Sequence, residues 1–234
     1  MELYFVEDLS ESSPVLRDEQ FRHAVKVMRK RIGDNVTLTD GRGTKALGQL
    51  QEIGKREATI LIDEVISVEP AAYNIKIALA LTKNIRRIEW ALEKMTEMGV
   101  GGVYPIICAR SERDRANMER LNKILISALK QSQQYFLPML HKPVSIDEFC
   151  KEAIPGVKGD KFIAHLADES RPLQYNYSKG NDVVLIIGPE GDFTEEEITL
   201  ATNAGCSPVS LGHTRLRTET AAVAAVAYIH ALND

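Results

Sequence analysis

No apolar run in the 234 residues approaches the roughly 18 that a membrane-spanning helix needs. The N-terminus, MELYFVEDLSES, is acidic and strand-like, whereas a secretory leader is basic and then apolar. A cytoplasmic protein with no membrane partner is the expectation. Cysteine is scarce: Cys108, Cys150 and Cys206 lie far apart, form no CxxC pair, and have no histidine at ligand spacing. Neither a disulfide framework nor a zinc site is indicated, no metal is expected, and buried free thiols suit a reducing compartment. Three catalytic signatures are also missing. The chain has no GK[ST] of a P-loop, no GxGxxG with its acidic ribose partner, and no Ser or Cys in an elbow motif. A nicotinamide oxidoreductase and a covalent triad enzyme are thereby disfavoured.

The formal net charge of -4 argues against a nucleic-acid partner only until its distribution is considered. Arg22 to Arg31 (RHAVKVMRKR) holds five basic residues and no acidic one, and Lys83 to Lys130 holds ten basic against six acidic. Val183 to Asp234 reverses the balance, two against seven. Basic patches that share a face can grip a phosphate backbone on a weakly acidic protein; ordinary solvated surface is the equal alternative.

Residues 1–70 read as a small β-rich module. LYFVED is a short strand and LRDEQFRHAVKVMRKR a helix, with acids early and bases late to suit its dipole. Asp40-Gly41 before Arg42-Gly43 signals a hairpin, and short strands at this spacing suggest a compact barrel. Arg22, Lys26, Arg29, Lys30, Arg31 and Arg42 are candidate phosphate contacts that position rather than specify. Pro70 with two alanines marks a boundary, and residues 73–234 follow the strand-helix alternation of a mostly parallel α/β sheet. IRRIEWALEKMTEMG repeats apolar residues at helical spacing and ends at Gly99; Trp90 lies off that stripe, where burial against a neighbouring element is the first expectation and an interface the alternative.

Two terminal loops carry the chemistry. In VVLIIGPEGDFTEEEI a buried strand runs directly into Gly188, Pro189, Glu190 and Gly191, after which Thr194 and Glu197 form a capping box. In VSLGHTRLRTETAAVAAVAYI a strand ends at Leu211-Gly212, and a helix rich in small residues follows HTRLR. Arg215 and Arg217 are the only arginines or lysines in that last stretch. Surface salt bridges remain an alternative role for them. The pattern describes a pocket of backbone loops whose chemistry depends on positioning.

Taken in order, HAVKVMR at 23–29, IGD at 32–34, KNIRRIEWALEKMTEMGV from Lys83, Arg110-Ser111, KQSQ at 130–133, IIGPEGDF at 186–193 and LRTETA at 216–221 are familiar. Over essentially its whole length the chain resembles the RsmE-type 16S ribosomal RNA (uracil-N3)-methyltransferases of the SPOUT superfamily. The resemblance implies a PUA-like β-barrel domain at 1–70 and an α/β SPOUT domain at 73–234 with a C-terminal trefoil knot. It also implies S-adenosylmethionine as cofactor, 16S rRNA in the small ribosomal subunit as partner, and a homodimer through the knotted domain. Ile187, Gly188, Pro189, Glu190 and Gly191 would form one wall of the cofactor site, Leu211 and Gly212 a second, and Leu216, Arg217 and Thr218 a third. Glu219 would hold the loop or orient Arg217, and Lys83, Arg86 and Arg110 would hold RNA. The usual terminal loop, LGPRILRTETA, is here LGHTRLRTETA, so either the positive charge has moved to Arg215 and serves the same pocket or Arg215 faces elsewhere.

N3 of uridine carries a proton that stays on at neutral pH, and its loss spreads negative charge onto O2 and O4. Arg217 first and Arg215 second are the candidates to meet that charge. Glu190, with His213 as runner-up, is the candidate base, although alignment of the reacting atoms alone lowers the barrier. The alternatives are a SPOUT methyltransferase acting on another RNA and a non-catalytic RNA-binding assembly factor.

Overall fold

The structure, a computed structural model, describes residues 2–9, 13–165 and 170–234. It divides into two compact units, Met1–Pro70 with Ile126–Leu137, and Ala71–Leu125 with Pro138–Asp234. The first segment ends at the Pro70 boundary; the addition of 126–137 to unit 1 has no counterpart in the sequence reading.

Unit 1 is a curled five-stranded sheet. Its strands are β1 (Leu3–Phe5), β2 (Val15–Arg17), β3 (Asn35–Thr39), β4 (Thr44–Ile53) and β5 (Glu57–Ser67), in the order β1-β3-β4-β5-β2. Two register shifts interrupt the β4–β5 ladder, after Leu47 and after Leu50, and such bulges bend a strand and increase its twist. A Cβ at Gly48 would lie 2.4 Å from the Leu61 carbonyl oxygen, so only glycine fits the first bulge. Tyr4, Leu16, Leu38, Leu50 and Ile60 fill the interior. The helix expected from Leu16 starts later: residues 15–17 pair with β5, α1 (Asp18–Phe21) follows, and Arg22–Val27 continue it as a π-helix. Strand pairing of Val15–Arg17 takes precedence there over helical periodicity. Asp40 to Gly43 form the hairpin, with Gly41 and Gly43 at φ 70° and 90°. Residues 135–137 hydrogen-bond along its tip, Gly43 N–H to Tyr135 O and Leu137 N–H to Gly41 O.

Unit 2 is a parallel sheet. Its elements are β6 (Ile75–Ala80), α2 (Ile85–Glu97), β7 (Gly102–Ile107), α3 (Met118–Ser132, which crosses the division), β8 (Met139–Leu140), β9 (Val144–Ser145), α4 (Ile146–Glu148), β10 (Asp160–Ala164), β11 (Arg171–Pro172), β12 (Val183–Ile187), α5 (Glu195–Asn203), β13 (Ser207–Ser210) and α6 (Thr218–Asn233). The order is β11-β13-β10-β12-β6-β7-β8, with β9 beside β7, and every pairing is parallel. The continuous apolar run of β12 is buried at every position, as a strand covered on both faces requires. Helix α6 packs on α2 and against β6 and β12, while α5 packs on α4 and β10. Alanines at 222 and 225 of α6, both fully buried, permit the close approach. Trp90 corrects the sequence reading: it is 44% exposed on α2, and Tyr228 of α6 is 45% exposed. All three cysteines are free and buried, and burial pushes their thiols up, Cys150 to about 11 and Cys206 to about 12.

Spatial order departs from chain order where it matters for the site. β10 lies between β12 and β13, and Ala164 at its end is level with Ile187 on one side and Val209 on the other. Three strands therefore finish side by side. Ligands in open parallel sheets bind beyond such carboxyl ends.

Candidate active site

A cavity of about 630 Å³ opens at these strand ends. Its lining includes Ile187, Gly188, Pro189 and Glu190 after β12, Leu211 and Gly212 after β13, and Arg215, Leu216, Arg217 and Thr218 leading into α6. Of the candidate cofactor and catalytic residues, Gly191 and His213 are absent from the lining. Gly191 instead backs onto Arg110, and His213 is exposed.

Local chemistry shapes each wall. A Cβ on Gly188 would meet the buried Phe193 ring at 2.9 Å, so the chain can turn under that ring only as glycine. Asp192 N–H donates to Pro189 O (3.0 Å), closing a turn in which Asp192 sits at φ 62°, a region Asp tolerates better than most residues. The Thr218 hydroxyl donates to Gly188 O at 2.8 Å, tying the third wall to the first. Gly212 at φ 134° lets the second loop leave β13. The capping box of α5 forms as expected, and Glu197 does more than cap. This side chain, 7% exposed, accepts from Thr194 N–H (2.9 Å) and from Ala109 N–H beyond β7 (2.6 Å), clamping two loops with one carboxylate.

The charges form two groups. Arg87, which the sequence reading left unassigned, stands between Glu190 (Nη1 to Oε1, 3.6 Å) and Glu219 (Nε to Oε1, 3.6 Å). Glu219 thus faces Arg87 rather than orienting Arg217. It is 8% exposed, and its Oε2 accepts no hydrogen bond among the described residues. Arg215 Nη2 donates to the Glu190 carbonyl at 3.3 Å. The second group, also missed, is His165 and Asp192, both lining the cavity. Sequence offers one signal for these residues: Arg87 belongs to the KNIRR stretch. His165 simply follows an apolar strand.

The candidate RNA contacts divide between the units. In unit 1, Arg22, Lys26, Arg29, Arg31 and Arg42 are exposed, with Val27, Met28 and Ile32 exposed among them. Lys30 Nζ donates to Asn35 O (2.9 Å), and Arg42 is partly engaged by Asp40 and by the Glu7 carbonyl. In unit 2, Lys83 pairs with Glu112 at 2.7 Å and Arg86 is exposed. Arg110 Nη1 donates to Gly191 O (2.9 Å) and Phe193 O (3.1 Å), which makes it a brace of the GPEGDF loop. Among the described residues no cluster of metal-ligating side chains occurs, and no helix is long and apolar enough to cross a membrane.

A pocket walled by backbone groups and by Ile187, Leu211 and Leu216 suits a nucleoside, and Glu190 with Asp192 suits an attached cation. The chemical fit to S-adenosylmethionine, an adenosine bearing a sulfonium, is good. The comparisons agree. Residues 69–230 match the RNA methyltransferase domain model and residues 16–63 the RNA methyltransferase PUA domain model. The chain is 29% identical to the ribosomal RNA small subunit methyltransferase E of Rickettsia conorii, over 99% of this chain and 96% of that protein. It superposes on a probable rRNA-methyltransferase from Porphyromonas gingivalis with a TM-score of 0.92 at 35% identity, covering 100% and 98% of the two chains. The ribosomal RNA small subunit methyltransferase E of Neisseria gonorrhoeae, crystallised with S-adenosyl methionine, gives a TM-score of 0.88 at 28% identity, covering 99% and 98%. The fold, the three-walled pocket and these matches together make the chain a member of the RNA methyltransferase family, of the RsmE type within the SPOUT superfamily.

Proposed function

We propose that the protein transfers the methyl group of S-adenosylmethionine to N3 of a uridine in small-subunit 16S rRNA. The observation that carries this reading is the cavity itself, framed by the loops after β12 and β13 and by the start of α6, in a chain whose similar structures hold that cofactor. The cofactor supplies an electrophilic methyl when bound. Ile187, Gly188, Pro189, Glu190, Leu211, Gly212, Leu216, Arg217 and Thr218 hold it, mostly through backbone groups, with Gly191 behind the first wall against Arg110. Arg217 and Arg215 offset the charge that develops on the uracil oxygens.

The exposed basic residues of unit 1, with Lys83 and Arg86, grip the RNA backbone. A homodimer forms through the α2–α6 face, where Trp90 and Tyr228 leave large apolar surface in contact with water. Mass spectrometry of 16S rRNA tests the function, after purified protein and cofactor are incubated with small subunits, or naked rRNA, from a strain lacking the gene. N3-methyluridine in the treated sample is expected. Cofactor binding without that product points to a different RNA, and absence of both points to a binding factor. Sedimentation of the wild type and Trp90→Glu tests the dimer, with a monomer expected for the variant alone.

A further inference from the structure

We infer that His165 is the catalytic base of the transfer and that Asp192 is its positioning residue, an assignment that rests on the methyl-transfer reading above. His165 follows β10 directly, and its N–H donates to Val209 O at 3.0 Å. Its neighbour Ala164 is in register with Ile187 and Val209, so the imidazole leaves the sheet between the first two walls. The side chain is 19% exposed and lines the cavity. Its Nδ1 is buried and accepts or donates no hydrogen bond among the described residues, yet it lies 3.5 Å from Asp192 Oδ1. That distance is too long for a hydrogen bond and close enough to become one when the loop tightens around a ligand.

Asp192 is itself fixed, by the turn to Pro189 and by accepting Phe193 N–H at 2.8 Å. A proton on Nδ1 shared with Asp192 leaves Nε2 as the acceptor. The other charged groups lining the cavity are less suited to the task. Glu190 is engaged by the Arg87 guanidinium at 3.6 Å, and a guanidinium such as that of Arg87, Arg215 or Arg217 has donors and no acceptor.

In the step, His165 Nε2 takes the N3 proton and the electron pair released on N3 forms the bond to the methyl carbon. The carbon–sulfur pair returns to sulfur, giving the thioether, and the imidazolium passes its proton to water. The test compares wild type, His165→Gln, His165→Asn and Asp192→Asn in two assays: methylation rate from about pH 6 to pH 9, and cofactor affinity by calorimetry.

Wild type should rise with pH and then level off, the profile of a step that needs an unprotonated base. The His165 variants should lose about 100-fold or more at neutral pH. They should then climb by about tenfold per pH unit toward alkaline conditions, because ionisation of the uracil in solution replaces the missing base. Asp192→Asn keeps an acceptor for Phe193 and should lower the plateau, while cofactor affinity stays within about threefold of wild type for the two His165 variants. A loss in the His165 variants that is the same at every pH overturns the assignment, as does a loss in them matched by weakened cofactor binding. If the wild type binds cofactor but methylates no uridine, the functional reading fails and the base falls with it, a result read before any variant is made.

Discussion

Replacing Glu197 with alanine should cost more than any other single change on α5. The carboxylate is 7% exposed and accepts two charge-assisted hydrogen bonds, at 2.6 Å from Ala109 N–H and 2.9 Å from Thr194 N–H. Each such bond contributes about 1.5–3 kcal/mol, and removing the acceptor leaves two amides facing a small cavity. The expected loss is therefore roughly 3–5 kcal/mol in urea denaturation, seen as a lower midpoint at constant slope. Glu197→Gln keeps the shape and one acceptor but turns an amide donor toward a backbone N–H, so about half that loss is expected. Because Thr194 ends the GPEGDF loop, cofactor affinity should fall as well, by about tenfold for the alanine variant. A midpoint change equivalent to less than about 1 kcal/mol for Glu197→Ala would refute the view that one carboxylate holds both loops together.

Gly188→Ala places a methyl 2.9 Å from the Phe193 ring, and should destabilise by about 1–3 kcal/mol and weaken cofactor binding by calorimetry more than it weakens RNA binding. Arg110→Ala releases the carbonyls of Gly191 and Phe193; a loss of cofactor affinity with unchanged RNA affinity is expected if bracing the loop is its main role, and the reverse pattern would mark it as an RNA contact. Asp40 provides a pH prediction. Burial raises its pKa, but the N–H groups of Arg42 and Thr44, the Thr44 hydroxyl and the Arg42 guanidinium outweigh burial and hold it below the ordinary carboxylate value. A depressed folded-state pKa means stability that is full above the unfolded value and lost as pH falls through the folded one. Urea midpoints measured on acidification should fall less steeply for Asp40→Asn than for wild type.

How much of this was legible in the sequence depends on the range over which each interaction is encoded. The Thr194–Glu197 capping box, the Asp40-Gly41 hairpin and the stop of α2 at Gly99 were readable because a few adjacent residues determine them. The alternation of buried strands with helices was readable because periodicity and composition carry it. Trp90 was misread because burial depends on what lies across the helix face, and the strand at Val15–Arg17 because its partner, β5, begins forty residues later. The charge groups of the site were invisible for the same reason. Arg87 meets Glu219 only because α6 returns to pack on α2, it meets Glu190 only because β12 lies beside β6, and His165 meets Asp192 only because β10 and β12 are neighbours in register. A parallel sheet whose spatial order departs from its chain order brings together residues that no local motif connects. The glycines, threonine and arginines of the loops announce a pocket, whereas the groups that meet them arrive from separate elements, Arg87 from α2, Glu219 from α6 and His165 from the end of β10. The most informative position of the site is then the residue just past the end of an apolar strand, and in this chain that residue is a histidine.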